Sequence, residues 1–397
     1  MKKLFIYILL FCIFCNFFSY YILNSLNWFV RDRYNTFGFV PEKYFNQCDI
    51  EMFIIFVIIC IISWKFKFSY KKFNLKQFQG KYTQNSIFVI VSWAIYTFFV
   101  VFVFLKINWT FENLSRGVGQ FELENRQTFL SGITSSFYVP FLIYLYLVGF
   151  FRRNFFFLII AVLIYAINGI SHGGRGSMVV LMAVGLMVIN YIHELERKKL
   201  LLFVGLAFLG LTFTSTDRFS GNDSLVVNNL VKIIQCNSTS TFLPVVKYSI
   251  DQGIELSPGI FAMHFVSIFI PSYVYVNVFH MLSYTRSSFI YSELYNANPN
   301  SGMGFMMLAD FYWSFQYLGY VLWILTFYLT IRFFRKYIYS SKPVLVVMSI
   351  MIVYYFCDQR TDFGAFLKPL VYTWIFLNVL EYFRKSSMKK QKLHRSL

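Results

Sequence analysis

The sequence predicts an all-α, polytopic integral membrane helical bundle of about ten transmembrane helices with one large outer loop. The chain of 397 residues is 57% hydrophobic and only 14% charged, which leaves no room for a separate soluble domain. Apolar stretches long enough to cross a bilayer recur from Leu4 to Tyr382. Basic residues concentrate in alternate loops between these stretches, as in multi-pass membrane proteins. We therefore treat residues 1–397 as a single transmembrane domain.

The predicted spans follow from the length of a crossing, which needs roughly 20 apolar residues, or about 17 at low tilt. The first span resembles a secretory signal because Lys2 and Lys3 precede it. Its apolar run is too long for one, however, and no small-residue cleavage site follows, so we expect an uncleaved helix. The ten spans lie near residues 4–23, 50–66, 86–105, 129–150, 154–170, 177–193, 200–215, 304–331, 343–357 and 365–382.

The distribution of Lys and Arg orients these spans. With Lys2 and Lys3 in the cytoplasm, the inner loops hold 23 of the 36 basic residues but only three acids. The outer loops hold 12 basic residues and 13 acids. Both termini are therefore expected in the cytoplasm of a cell whose cytoplasmic (inner) membrane holds the chain. The net charge of +18 is then an orientation signal and does not indicate a nucleic-acid partner.

One large periplasmic or extracellular loop is expected at residues 216–303. Its segment 259–282 is apolar and aromatic but contains Pro271, and a crossing there would place Arg332 and the following basic residues outside. We expect this segment to lie on the membrane surface or to re-enter, packed on the bundle.

Two outer hairpins carry candidate anion-binding arginines. Residues 171–177, Ser-His-Gly-Gly-Arg-Gly-Ser, would place Arg175, turn amides and the positive end of the following helix together. A hairpin with a snorkelling arginine explains the same residues equally well. In residues 358–362, Arg360 could bind a phosphate through two hydrogen bonds, although pairing with a neighbouring aspartate is the simpler interpretation.

Asp310 is a carboxylate inside the eighth predicted span, where it needs a partner. Lys368, close to the outer end of the last span, is at similar depth and is a candidate partner. Cys48 and Cys236 both fall on the predicted outer side, which permits a disulfide.

Together these segments resemble the O-antigen polymerase family (Wzy-type). Residues 173–187 resemble that family's arginine-glycine turn opening a span. Residues 307–319 resemble its acid-x-Tyr-x-x-Phe-x-x-x-Gly segment, and residues 359–370 its late Arg-x-Asp-Phe hairpin. The three segments occur in the family's order, with the long outer loop between the first two. The resemblance covers roughly residues 165–385.

The chain departs from this family at two positions. Family members often carry Pro-Arg where this chain has Pro271-Ser272, which leaves open which loop arginine, Arg218 or Arg286, contacts the substrate. They often have glycine where this chain has Gln316.

The resemblance implies a membrane glycosyltransferase that joins undecaprenyl-diphosphate-linked oligosaccharide repeat units on the outer face of the membrane. The product would be O-antigen or capsular polysaccharide. The lipid diphosphate donor stores the required energy, so neither a metal nor a cofactor is implied. A polysaccharide chain-length regulator is a further implied partner.

The resemblance also implies roles for individual side chains. Cationic groups would bind the donor diphosphate and stabilise its charge on departure, and a general base would deprotonate the attacking hydroxyl. The implied substrate-binding residues are Arg175, Arg360, Arg218, Arg286 and Tyr312, and the candidate catalytic residues are His172, Asp217 and Asp310.

Two other functions are compatible with the sequence. An O-antigen ligase would use a histidine of the large loop, for which His264 and His280 are candidates. A lipid-linked oligosaccharide flippase would be expected to show pseudo-symmetric halves, and the sequence contains no internal repeat.

Overall fold

A computed structural model describes residues 4–25, 40–66, 78, 86–107, 129–152, 154–171, 242–253, 261, 265, 268–270, 306–357 and 363–396. All regular secondary structure in these residues is helical, which confirms the predicted all-α class for this part of the chain. The helices are α1 (Leu4–Ser25), α2 (Glu42–Lys65), α3 (Ser86–Leu105), α4 (Phe129–Leu147), α5 (Phe155–Ser171), α6 (Phe242–Asp251), α7 (Met307–Phe315), α8 (Tyr317–Tyr337), α9 (Pro343–Cys357) and α10 (Phe363–Ser396).

The described helices have the character of a membrane protein. Three segments are long and apolar enough to cross a bilayer: Glu42–Lys65, Ile87–Leu105 and Tyr317–Tyr337. Large apolar side chains such as Ile54 and Trp64 on α2 are exposed; contiguous exposure of this kind suits lipid better than water. The total of ten spans stays a prediction, since residues 177–193 and 200–215 lie outside the described residues.

Several helices differ in extent from the predicted spans. Helix α2 begins at Glu42, before the predicted start at 50, and α10 continues to Ser396, beyond the predicted end at 382. Both extensions are polar, so the apolar runs did not include them. Helix α6 lies within the large loop, where no helix was predicted.

The predicted span 304–331 is two helices, and this prediction was wrong because the chain turns at Gln316. Gln316 has φ 50° and ψ −131°, and it is the one non-glycine residue with positive φ among the described residues. Such a conformation costs about 1–3 kcal/mol for a residue with a side chain. The turn brings Gly319 against the backbone of α7, where an added Cβ would lie 2.2 Å from the Phe311 carbonyl oxygen. The break therefore requires a glycine at 319 and would favour one at 316.

Substitutions at these two positions should differ in their effect on stability. Gly319→Ala is expected to destabilise the protein by about 1–3 kcal/mol, because a backbone carbonyl must move. Gln316→Gly should not destabilise it, because relief of strain offsets the roughly 0.5–1 kcal/mol entropic cost of glycine. Thermal unfolding of the two variants in detergent measures both effects. A Gly319→Ala protein that unfolds with the wild-type midpoint would contradict this packing.

Helix directions follow from pairs of contacts. The carbonyl oxygen of Ser136 on α4 accepts from Thr373 on α10 (3.3 Å), and further along both helices Tyr144 donates to Glu381 (2.8 Å). Helices α4 and α10 are therefore parallel. Helices α2 and α8 are parallel as well, because Tyr320 contacts Glu51 near their starts and Tyr328 packs on Phe66 at the end of α2.

The starts of α2, α8 and α10 meet at one end of the bundle, which we call the Asp310 end. The predicted topology gives α2, α4, α8 and α10 a common direction, and the two parallel pairs agree with it. By that prediction the Asp310 end faces outward. At the opposite end Glu381 accepts from Arg384 (2.6 Å) and lies 3.5 Å from Lys385.

Candidate functional site

Asp310 connects two of the predicted motifs. Its side chain is fully buried, and Oδ2 accepts a hydrogen bond of 2.9 Å from the backbone N–H of Phe363. Phe363 is the first residue of α10, so the carboxylate satisfies one of the amides at that helix end and complements the positive end of its dipole. Arg360 stands three positions earlier in the sequence. The 307–319 and 359–370 segments therefore meet at the Asp310 end of the bundle.

Lys368 was the candidate partner of Asp310. Its Nζ lies 3.4 Å from the carbonyl oxygen of Ile270 and 5.8 Å from the ring of Tyr372. An ion pair between Lys368 and Asp310 stays a prediction. The observed hydrogen bond of the buried carboxylate is to a helix N-terminus, a partner that no pattern of charged residues reveals.

The apolar segment of the large loop packs over this carboxylate. The ring of Phe261 stacks on Phe363 at 5.3 Å and contacts Phe311 (5.2 Å) and Phe315 (5.0 Å). Phe265 also contacts Phe363, while Phe269 is 83% exposed. For these described residues the prediction that segment 259–282 packs on the bundle is confirmed. The Phe261 cluster separates Asp310 from the exposed part of the segment.

A second charged cluster lies at the same end of the bundle. Lys247 on α6 donates to both carboxylate oxygens of Glu51 on α2, each at 2.5 Å. Tyr320 on α8 donates to Oε2 (2.5 Å) and Gln47 to Oε1 (3.2 Å). A carboxylate has about four lone-pair sites, and these four bonds occupy them. Glu51 therefore joins α2 to both α6 and α8.

Aromatic rings surround the ammonium group of Lys247. Its Nζ is 5.0 Å from the ring centre of Tyr312 and 5.4 Å from that of Tyr317, within the range of cation–π attraction. The rings of Tyr312 and Tyr320 are 5.0 Å apart. Tyr312, the tyrosine of the acid-x-Tyr motif, thus lies between this ion pair and the Asp310 turn of the same helix. We call Gln47, Glu51, Lys247, Tyr312, Tyr317 and Tyr320 the tyrosine cluster.

A further hydrogen bond fixes α6 to the start of α2. The hydroxyl of Tyr44 donates to Asp251 Oδ2, and the Tyr44 ring makes an edge contact with Tyr248 at 5.6 Å. Helix α6 of the large loop is therefore attached to α2 at both of its charged positions, Lys247 and Asp251.

Only part of the predicted site can be located. Asp310 and Tyr312 lie close together on α7 at one end of the bundle. Cys48 is buried on α2, but its proposed partner Cys236 is outside the described residues. The other candidates also lie outside the described residues: His172, Arg175, Asp217, Arg218, Arg286, Arg360, His264 and His280.

Sequence reasoning missed most of the tyrosine cluster. Glu51 was recognised only as an acid inside a span, and Lys247 only as one basic residue of the outer loops. The available signal was that each charge lies in a largely apolar stretch, at 50–66 for Glu51 and in Phe242–Asp251 for Lys247. A buried charge needs an opposite charge, but nothing local identifies a partner 196 residues away.

Comparison with known proteins adds no relative. No protein-family model matches the chain, and no curated protein and no solved structure matches it.

Proposed function

We propose that this chain is a membrane glycosyltransferase that polymerises undecaprenyl-diphosphate-linked oligosaccharide repeat units into O-antigen or capsular polysaccharide. Its site would lie at the Asp310 end of the bundle, facing outward. The observation that supports this most is the hydrogen bond between Asp310 and the Phe363 amide, because it joins two segments that were matched separately to the O-antigen polymerase family. Asp310 and Phe363 are 53 positions apart, and two segments matched only by chance would have no reason to meet.

The position of Asp310 favours a structural contribution to this chemistry. Its Oδ2 holds the start of α10, directly after the hairpin that carries Arg360. We therefore assign Asp310 to positioning that hairpin, and leave His172 and Asp217 as candidates for the general base. In this mechanism Arg175 and Arg360 bind the donor diphosphate and stabilise the charge that it gains when the sugar–phosphate bond breaks. The base accepts the proton of the acceptor hydroxyl as the new glycosidic bond forms.

Deletion of the gene tests this function directly. Surface polysaccharide from the deleted cells, separated on a gel, should collapse from a ladder to a single repeat unit on its acceptor. Wild-type protein should restore the ladder, and Arg175→Ala should fail to restore it, because the leaving diphosphate loses its cation. Removing one such electrostatic contact typically lowers a rate by about 10²–10³-fold.

The matched control is Arg152→Ala, which removes an exposed arginine from the turn between α4 and α5, at the opposite end of the bundle. This variant should restore the ladder. Long chains stranded on the carrier lipid would instead identify a ligase. Unpolymerised units retained on the cytoplasmic side would identify a flippase.

A further inference from the structure

Tyr317 is an exposed aromatic residue that is fixed from several sides. More than half of its surface is exposed, at 57%. The Lys247 ammonium lies 5.4 Å from its ring centre, and the rings of Tyr312 and Tyr320 meet it nearly edge-on, at 90° and 83°. Its hydroxyl accepts a hydrogen bond of 3.3 Å from Gln47 Nε2. These contacts leave the ring one orientation and keep a large part of it open.

Tyr317 has both polar and apolar neighbours. Gln47, exposed on α2, donates to its hydroxyl. Leu318 and Val321, next to it and one turn further on α8, are each 59% exposed. A tyrosine at a membrane boundary is common. Such an interfacial tyrosine does not need the Lys247 ammonium near its ring or the hydrogen bond from Gln47 to its hydroxyl. Nor does it need the buried Glu51–Lys247 ion pair nearby.

We propose that Tyr317 and Gln47 form a saccharide-binding platform, held in place by the Glu51–Lys247 ion pair. One face of a sugar ring presents C–H groups, which pack on an aromatic ring, while its hydroxyls need hydrogen-bond partners. Tyr317 supplies the ring, and the Gln47 carboxamide is a hydrogen-bonding group at its edge. The apolar residues Leu318 and Val321 lie where the lipid of a lipid-linked saccharide would enter the bilayer.

This inference rests on the proposed function and assigns the platform to the acceptor repeat unit. The charges of the tyrosine cluster are already paired within it, so the cluster has no cation left for a diphosphate. A neutral sugar is the part of the substrate that such a surface suits. Glu51 and Lys247 are positioning residues in this scheme, because they touch Tyr317 and its neighbours and not the saccharide.

Direct binding tests the platform without any turnover. The probe is the oligosaccharide repeat unit released from the host's own surface polysaccharide, titrated into the full-length protein in detergent. Tyr317→Ala should raise the Kd at least about tenfold, which corresponds to the loss of one good aromatic contact. Tyr317→Phe keeps the ring and loses only the Gln47 bond, so its Kd should rise by less than that of the alanine variant.

The matched control is Tyr382→Ala. Tyr382 on α10 is 69% exposed and lies at the other end of the bundle, and its loss should leave the Kd unchanged. Equal thermal midpoints of both alanine variants would exclude a folding defect as the cause. A wild-type Kd for Tyr317→Ala, or no binding by the wild-type protein, overturns the platform.

The two proposals fail in different ways. If gene deletion removes the ladder but Tyr317→Ala binds and polymerises normally, the polymerase assignment stands and the platform does not. If Tyr317→Ala abolishes saccharide binding while gene deletion leaves the ladder intact, the platform stands and the polymerase assignment does not.

Discussion

Replacement of Asp310 by alanine is expected to abolish the polysaccharide ladder and to destabilise the protein by about 1–3 kcal/mol, the cost of leaving a buried amide without its acceptor. The lost bond is the one that Asp310 Oδ2 accepts from Phe363 at 2.9 Å. Without it, the first amide of α10 loses this acceptor, and the ring contacts of Phe363 remain. Arg360 stands three positions before Phe363 in the sequence, so activity should fall by more than the loss of stability alone would explain.

The Asp310→Asn variant separates positioning from proton transfer. An asparagine side chain keeps a carbonyl oxygen that can accept from Phe363 but has no basic carboxylate. If Asp310 positions α10, this variant should retain most of the ladder and unfold near the wild-type midpoint. If Asp310 is the general base, it should be as inactive as the alanine variant, and our assignment would be wrong.

Ser314→Ala is the matched control for both variants. Ser314 is buried on the same helix and donates to the backbone carbonyl of Asp310 at 3.1 Å. Its loss should cost about 0.5–1.5 kcal/mol and leave the ladder unchanged, because the carboxylate itself is untouched.

The membrane fold could be predicted because its signals are local. A span appears as a run of apolar residues, and helix α9 begins and ends at the predicted positions 343 and 357. The direction of a span appears in the charges beside it, and the parallel pairs of helices agree with the predicted directions. These features need no knowledge of which helix contacts which.

The break at Gln316 could not be predicted in the same way. The run from 304 to 331 is mostly apolar or aromatic, and glutamine is a good helix former. The positive φ of Gln316 accompanies a close backbone approach of Gly319 to Phe311. Gly319 could be identified as part of a motif, but a glycine is needed there because its backbone lies against that of α7 in the folded chain.

The candidate site was predictable to the extent that its residues belong to one segment. Asp310 and Tyr312 were identified because both stand in the same short motif. The partners of these residues come from elsewhere in the chain: Phe363 for Asp310, and Lys247 for Tyr312. Contacts between distant segments depend on how the whole bundle packs. The charges of Glu51 and Lys247 therefore indicated only that each needs a partner.

Replacement of Lys247 by alanine is expected to have the largest effect on stability, about 3–5 kcal/mol, because it leaves a largely buried carboxylate without its cation. The side chain of Lys247 is 4% exposed and that of Glu51 is 16% exposed. Thermal unfolding in detergent measures the loss. The matched control is Lys385→Ala, which breaks an ion pair of 3.5 Å with Glu381 but removes a side chain that is 58% exposed. That change should cost less than about 1 kcal/mol.

Exchange of the two charges shows whether the ion pair itself is responsible. The double variant Glu51→Lys with Lys247→Glu restores opposite charges, and it should be more stable than either single variant if their attraction dominates. Tyr320 can accept as well as donate, so its hydroxyl can adapt to the exchange. An exchanged protein no more stable than the single variants would mean that shape, not charge, holds α2 to α6.

The exchanged protein also separates stability from binding. The cation that lies over the rings of Tyr312 and Tyr317 belongs to residue 247 on α6, and after the exchange that position carries an anion, which an aromatic face repels. Stability should therefore recover while saccharide affinity does not. Recovery of both stability and saccharide affinity would show that Tyr317 needs only a folded tyrosine cluster around it. Recovery of stability alone would show that the ammonium group orients the platform.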